Sequence, residues 1–220
     1  MGFRVLQAPP RVEDDLVDRL RGLPSSTVAD AMGRFNFMSP AIQMRTVRPL
    51  CGLAVTVNCR PGDNLMVHKA IGMARSGDVL VIRTGGNTTN AVFGELMARA
   101  ALARALGGVI VDGAVRDVSA LTALGLPVFS RAVSPGACDK DGPGEINVPI
   151  SCGDTVVMPG DVVLGDADGV AVVPREHVRT VLDAVASLTA REQARIAEIQ
   201  RGVIVRPEID EHLRRLGVIE

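Results

Sequence analysis

Apolar residues along this chain follow one set of rhythms up to about residue 133 and another beyond it. In VEDDLVDRLRG (12–22) they recur three and four apart, which predicts an amphipathic helix closed by Gly22. TVADAMGR predicts a second short helix, with Ser25 and Ser26, just after Pro24, placed to cap it. GLAVTVNCR (52–60) alternates and predicts a strand, and PGDNLMVHKAIGMARSGD (61–78) reads as turn, helix and turn. DVLVIRT is a short, nearly continuous apolar run, the pattern of a strand buried on both faces. GGNTTN is its exit loop. VFGELMARAALARALGG predicts a helix with a glycine stop, VIVDG a second buried strand, DVSALTALG a short helix and PVFSR another strand.

Strands alternating with helices in this way predict an α/β fold built from parallel βαβ units. Past residue 133, INVPI, DTVVM, DVVLGD and GVAVVP are short strands separated by Gly, Pro and Asp. They predict antiparallel hairpins that form a second, short-stranded sheet layer. REHVRTVLDAVASLTAREQARIAEIQRG (175–202) predicts a long helix ending at Gly202, and PEIDEHLRRLG a last one. With no internal repeat and no low-complexity linker, residues 1–220 are expected to be one domain, a layered α/β sandwich with helical N- and C-terminal extensions, the latter over 175–220.

Composition narrows the chemistry. No apolar run reaches the roughly 18–20 residues that span a bilayer, so no membrane partner is expected. The start, MGFRVLQAPPRVEDD, turns acidic before a signal-peptide core could form and carries no serine or threonine at position 6 for myristoylation. A net charge of −1 and aromatics limited to five Phe argue against direct nucleic-acid binding, which needs a basic excess or stacking rings. Cys51, Cys59, Cys138 and Cys152 show neither CxxC nor zinc spacing, so reduced thiols in a cytoplasmic protein are expected. Of 24 basic residues only Lys69 and Lys140 are lysines, and neither sits in the apolar setting that suits a Schiff base. Imine catalysis is therefore disfavoured.

The stretch GELMARAALARALGGVIVDGAVRD (94–117) holds the candidate chemistry. Ligands of parallel α/β folds gather beyond the C-terminal ends of strands, at the starts of the following helices. Both ends of this stretch fall there, so neighbouring strand ends would bring Glu95 to Arg116 and Asp117. Backbone N–H groups near Gly94, Glu95, Leu96 and Met97, with the helix dipole, favour an anion. Arg116 offers a planar fork to a carboxylate. Asp117 can hold Mg²⁺, which keeps several of its waters, and Glu95 could orient one of those waters. Such a set would bind an α-keto acid and stabilise the enolate formed when the neighbouring C–C bond breaks. The bland alternative is a helix cap with a surface ion pair.

These residues carry a resemblance. From about PSSTVADAMGR (24–34) to IQRG (199–202) the chain resembles the class II 4-hydroxy-4-methyl-2-oxoglutarate aldolases, in the superfamily shared with RraA, the regulator of ribonuclease activity A. GLAVTV, PGDNLMVHKAI, SGDVLVI, AVFGEL, GGVIVDGAVRD and PVFSR carry it, and SPGACDKDGPGEINVPISCGDTVVMPGDVVLGDADGVAVVP (134–174) is the most specific part. The resemblance implies pyruvate release from such a 4-hydroxy-2-oxo acid, with oxaloacetate decarboxylation as a side activity. It implies Asp117 as ligand of Mg²⁺ (or Mn²⁺ or another divalent cation), Arg116 on the pyruvate end, and the amides of Leu96 and Met97 around its carboxylate. Its motif is an acid, twenty residues, then Arg-Asp; characterised aldolases have aspartate first, and this chain has Glu95. A C-terminal glutamate from a neighbouring subunit is also implied, Glu192 or else Glu198, in a homotrimer or homohexamer. The same superfamily implies a rival function, non-catalytic binding and inhibition of a ribonuclease. It has also been labelled a demethylmenaquinone methyltransferase, but no glycine-rich nucleotide loop supports that here.

Other constellations read as structural. His68, His177 and His212 share no metal-ligand spacing. Asp161, Asp166 and Asp168 lack the order of a calcium loop and are expected to make tight turns.

Overall fold

The computed structural model describes residues 2–220. In chain order its elements are β1 (Phe3–Val5), α1 (Asp14–Leu20), α2 (Ser25–Ala31), β2 (Gln43–Met44), β3 (Leu50–Cys59), α3 (Leu65–Met73), β4 (Val79–Arg83), β5 (Ala91–Phe93) and α4 (Glu95–Ala103). There follow β6 (Gly108–Val115), α5 (Val118–Leu124), β7 (Val128–Val133), β8 (Gly144–Ile146), β9 (Ile150–Cys152), β10 (Thr155–Val157), β11 (Val162–Asp166), β12 (Gly169–Val173), α6 (Val178–Gln200) and α7 (Pro207–Arg215).

The main sheet runs β1-β8-β3-β4-β6-β7-β2, with β3, β4, β6 and β7 parallel at its centre. Register there aligns Val81 with Thr56 on one side and with Ile110 on the other. Leu80, Val81, Ile82, Val109, Ile110 and Val111 are all fully buried, which is why β4 and the start of β6 read as apolar runs without alternation. On one face α3, α4 and α5 pack through Val67, Ala70, Ala98, Ala101 and Leu121. On the other, β9, β10 and the β11–β12 hairpin pack through Ile150, Val157, Val163 and Val172. A third apolar cluster joins α1, α2 and the first half of α6 to β3, β11 and β12.

The expected α/β architecture is present: a mainly parallel sheet, covering helices and a second small sheet. That second sheet consists of the β9–β10 hairpin alone. The β11–β12 hairpin is antiparallel, as its turn residues predict, but β11 hydrogen-bonds to β3 and so extends the main sheet. Four local expectations are corrected. INVPI is not a strand: Ile146 ends β8, Ile150 begins β9, and Asn147, Val148 and Pro149 turn between them. Val92 and Phe93 belong to β5, paired with β6, and the helix begins only at Glu95. β6 runs past Gly113 to Val115, because Ala114 and Val115 still pair with β7. The serines do not cap α2 with their side chains: the Ser25 N–H and Oγ–H both donate to Asp166, at 2.7 and 2.6 Å, from across the fold. Asp166 also accepts the Asp168 N–H at 3.0 Å, and Asp161 accepts N–H groups of Met158 and Arg175, the turn roles expected of both.

The C-terminal part has a different texture. Val178, Val181, Leu182 and Val185 bury the start of α6, whereas α7 buries no residue. Glu198 accepts from Arg195 at 3.0 Å and from Arg206 at 2.8 Å, and Arg195 also donates to the Val203 and Ile204 carbonyls, fixing the corner between α6 and α7. Among the described residues no helix is long and apolar enough to cross a membrane.

Candidate active site

Two βα junctions meet at one cleft. β5 ends at Phe93 and β6 at Val115, and the Arg116 N–H donates to the Phe93 carbonyl at 3.0 Å, so both chains leave the sheet side by side. Gly94 then starts α4, with Glu95 in its first turn, where an acidic residue complements the helix dipole. Asp117 stands before α5 in the left-handed region (φ 58°, ψ 37°), a conformation aspartate tolerates better than most residues. Its carboxylate does not cap α5. Instead Asp117 Oδ2 accepts the Glu95 N–H at 3.1 Å, closing the first turn of α4 from outside.

Gly94 makes this approach possible. A Cβ there would stand 2.6 Å from Asp117 Oδ2, closer than real side chains come, and a tight 3.0 Å from Arg116 Cγ. The next two N–H groups of the turn, on Leu96 and Met97, have no partner one turn back in the helix and are free for an anion. Leu96 is 80% exposed while Met97 is buried.

The charged groups are half-exposed. Arg116 Nε lies 3.5 Å from Asp117 Oδ2, a loose pair worth well under about 1 kcal/mol at such exposure. Glu95 Oε1 accepts from Arg99 Nε and Nη2, at 2.9 and 2.7 Å, which lays its carboxylate along its own helix. Neither Asp117 Oδ1 nor Glu95 Oε2 takes a hydrogen bond among the described residues. No three His, Cys, Asp or Glu side chains of the described residues gather as a metal cage. A single unengaged carboxylate oxygen on a half-exposed side chain suits Mg²⁺ or Mn²⁺, which keep most of their waters, and does not suit zinc.

The cleft encloses about 160 Å³. Gly94, Glu95, Leu96, Met97, Arg116 and Asp117, all singled out in the sequence, line it together. Asn64, His68, Cys138 and Lys140 line it too, and the sequence reading missed them as site residues. The Asn64 side chain is buried, donates to the Val92 carbonyl at 3.3 Å, and leaves its Oδ1 without a partner. Burial and the nearby Lys140 ammonium both push the His68 pKa down. Burial, with Asp63 and Asp139 close by, pushes the Cys138 thiol up to about 11 despite Arg116. Cys51, Cys59 and Cys152 are buried free thiols. Glu192 lies exposed on α6 and does not reach the cleft of its own chain, and Glu198 is held by the two arginines of the α6–α7 corner.

Comparison with known proteins places this architecture. The sequence profile of the RraA-like family, described as Aldolase/RraA, matches residues 25–172. The chain belongs to the RraA-like family. Among RraA-like relatives, a protein of Halalkalibacterium halodurans, provisionally named a 4-hydroxy-4-methyl-2-oxoglutarate aldolase, is 38% identical over 195 residues, covering 88% of this chain and 93% of its own. The protein of that name from Thermus thermophilus is 35% identical over 112 residues, 51% of this chain and 68% of its own. The solved structure of the RNA-processing inhibitor RraA from Thermus thermophilus superposes with a TM-score of 0.65 at 28% identity, covering 69% of this chain and 93% of that one. The RraA-like match spans both βα junctions of the cleft, Asn64, His68 and the loop carrying Cys138 and Lys140. It ends before Glu192.

Proposed function

We propose that this chain is a divalent-metal-dependent aldolase that cleaves 4-hydroxy-4-methyl-2-oxoglutarate or a related 4-hydroxy-2-oxo acid and releases pyruvate, with oxaloacetate decarboxylation as a side activity. The observation that carries the reading is the meeting of the α4 amides, Arg116 and Asp117 in one cleft, made possible by Gly94. The names of the two aldolase relatives agree with it.

Each residue then has a task. The Leu96 and Met97 N–H groups and the Arg116 guanidinium bind the carboxylate of the keto acid. Asp117 Oδ1 would hold Mg²⁺ or Mn²⁺, which when bound supplies Lewis-acid stabilisation of the enolate charge. Glu95, through Oε2, orients the water that returns a proton to the pyruvate carbon. Its side chain is one methylene longer than aspartate, and the Arg99 pair keeps that extra reach along the helix. Lys140 and His68 offer positive charge and an N–H donor to the second carboxylate of a dicarboxylate substrate. Glu192 comes from a neighbouring copy in a homotrimer or homohexamer; of the two candidates it is the one not engaged by arginines within the chain.

Variants of the two charged residues test the assignment. Asp117→Ala abolishes turnover, whereas Arg116→Ala chiefly raises KM for the keto acid. Full turnover by both variants refutes the site.

A further inference from the structure

Beside the two βα junctions, the cleft is lined by two more segments far apart in sequence, the start of α3 with Asn64 and His68, and the loop with Cys138 and Lys140. A single buried carboxylate joins them. Asp63 is 1% exposed and is not itself part of the cleft lining. Its Oδ1 accepts the Leu65 N–H at 2.9 Å, in the first turn of α3. Its Oδ2 accepts two N–H groups of the loop, those of Asp141 and Gly142, each at 2.8 Å. Around it the Asn64 N–H donates to the Asp139 carbonyl at 3.0 Å, and the Asp139 N–H to the Gly62 carbonyl at 2.8 Å. Burial alone would push the Asp63 carboxyl up, but the three N–H donors and Arg60, 3.6 Å away, outweigh it and keep it ionised.

The division of labour between the two oxygens separates this residue from an ordinary helix cap. One oxygen would suffice to start α3. The other fixes the two residues that directly follow Lys140, an exposed lysine with no side-chain hydrogen bond of its own among the described residues. We infer that Asp63 is a positioning residue that holds Lys140 beside His68 at the cleft and thereby sets recognition of the substrate's second carboxylate. The substrate part of this inference rests on the keto-acid reading above; the positioning part does not.

Four proteins test it: wild type, Asp63→Asn, Lys140→Ala and the double variant. Asparagine keeps the shape but turns an N–H donor toward the loop amides or the helix start. In the ligand-free proteins, NMR titration follows His68. Its pKa, held down by burial and by Lys140, rises in Lys140→Ala and rises, by no more than that, in Asp63→Asn. With a dicarboxylate substrate, Asp63→Asn raises KM about tenfold, the loss of one charged contact, and the double variant is no worse than Lys140→Ala. An unmoved His68 in a folded Asp63→Asn protein, or KM losses that multiply, overturns the inference.

Amide exchange on the wild type keeps the test open should Asp63→Asn fail to fold. The Asp141 and Gly142 amides are protected, although Asp141 is surface-exposed, while the Lys140 amide exchanges freely. Exchange of all three at unprotected rates overturns the inference. Neither the titration nor the exchange needs turnover. If both behave as stated and no pyruvate is released, it is the aldolase reading that fails.

Discussion

Gly94→Ala is the substitution that isolates the site from the fold. The backbone at Gly94 is extended (φ −158°), a conformation alanine adopts without strain. An alanine there would stabilise the chain by about 0.4–1 kcal/mol through the unfolded state if nothing stood in its way. What stands in its way is the site. The new Cβ falls 2.6 Å from Asp117 Oδ2, about 0.8 Å short of the 3.4 Å at which ordinary contact begins, with Arg116 Cγ at 3.0 Å and Nε at 3.3 Å. Both side chains are half-exposed and can swing away, so the clash is relieved by moving the functional groups and not by unfolding. The Asp117 bond to the Glu95 N–H is lost in that movement. Displacement on the scale of 1 Å at a reacting centre costs about 100-fold in rate. The expected result is a fall in kcat/KM of about that size, with weakened Mn²⁺ binding by calorimetry and a thermal midpoint within about 2 °C of wild type. A variant with wild-type kcat/KM and metal affinity would refute the role given to this close approach.

Three further outcomes follow from the same geometry. Asp117→Gly and Asp117→Ala are both inactive, but the glycine variant is the more stable by about 1 kcal/mol in urea unfolding, because residue 117 is left-handed; equal stabilities would deny that conformation. With its thiol pushed up to about 11, Cys138 reacts with iodoacetamide at a rate that climbs about tenfold per pH unit from 7 to 10, and a plateau below pH 9 would contradict its burial. Hydrogen bonds from Arg206 and Arg195 hold the Glu198 pKa below its ordinary 4.5. Its stabilising effect on the α6–α7 corner is therefore complete above 4.5 and lost as pH falls through the lowered folded value, which appears as faster amide exchange at residues 203–206 in acid. Exchange there that ignores pH, once intrinsic rates are removed, would dismiss the ion pairs.

Much of this arrangement is legible in the sequence because it rests on local rules. β4 and β6 announce themselves as apolar runs because helices and hairpins cover both of their faces, and the Arg116 junction follows from where β6 stops. What the sequence conceals is set by contacts between distant segments. Val92 and Phe93 read as the start of a helix because they are apolar and adjoin one, and only pairing with β6 makes them a strand. Ser25 looks like a cap until Asp166, 141 residues away, claims its hydroxyl. His68 and Lys140 look like surface residues, and it is Asp63 that joins their segments at one cleft. The PGDN and CDKDG turns were the available signal, since both are rich in residues that bond backbone amides.

The most direct measurement is pyruvate release from 4-hydroxy-4-methyl-2-oxoglutarate and from oxaloacetate, coupled to lactate dehydrogenase, with Mg²⁺ and with EDTA. Release from both substrates is expected, supported by Mg²⁺ and abolished by EDTA and by Asp117→Ala. No release from either substrate by the folded protein, together with EDTA-insensitive capture of a ribonuclease, would contradict it and favour the inhibitor function of the RraA relatives.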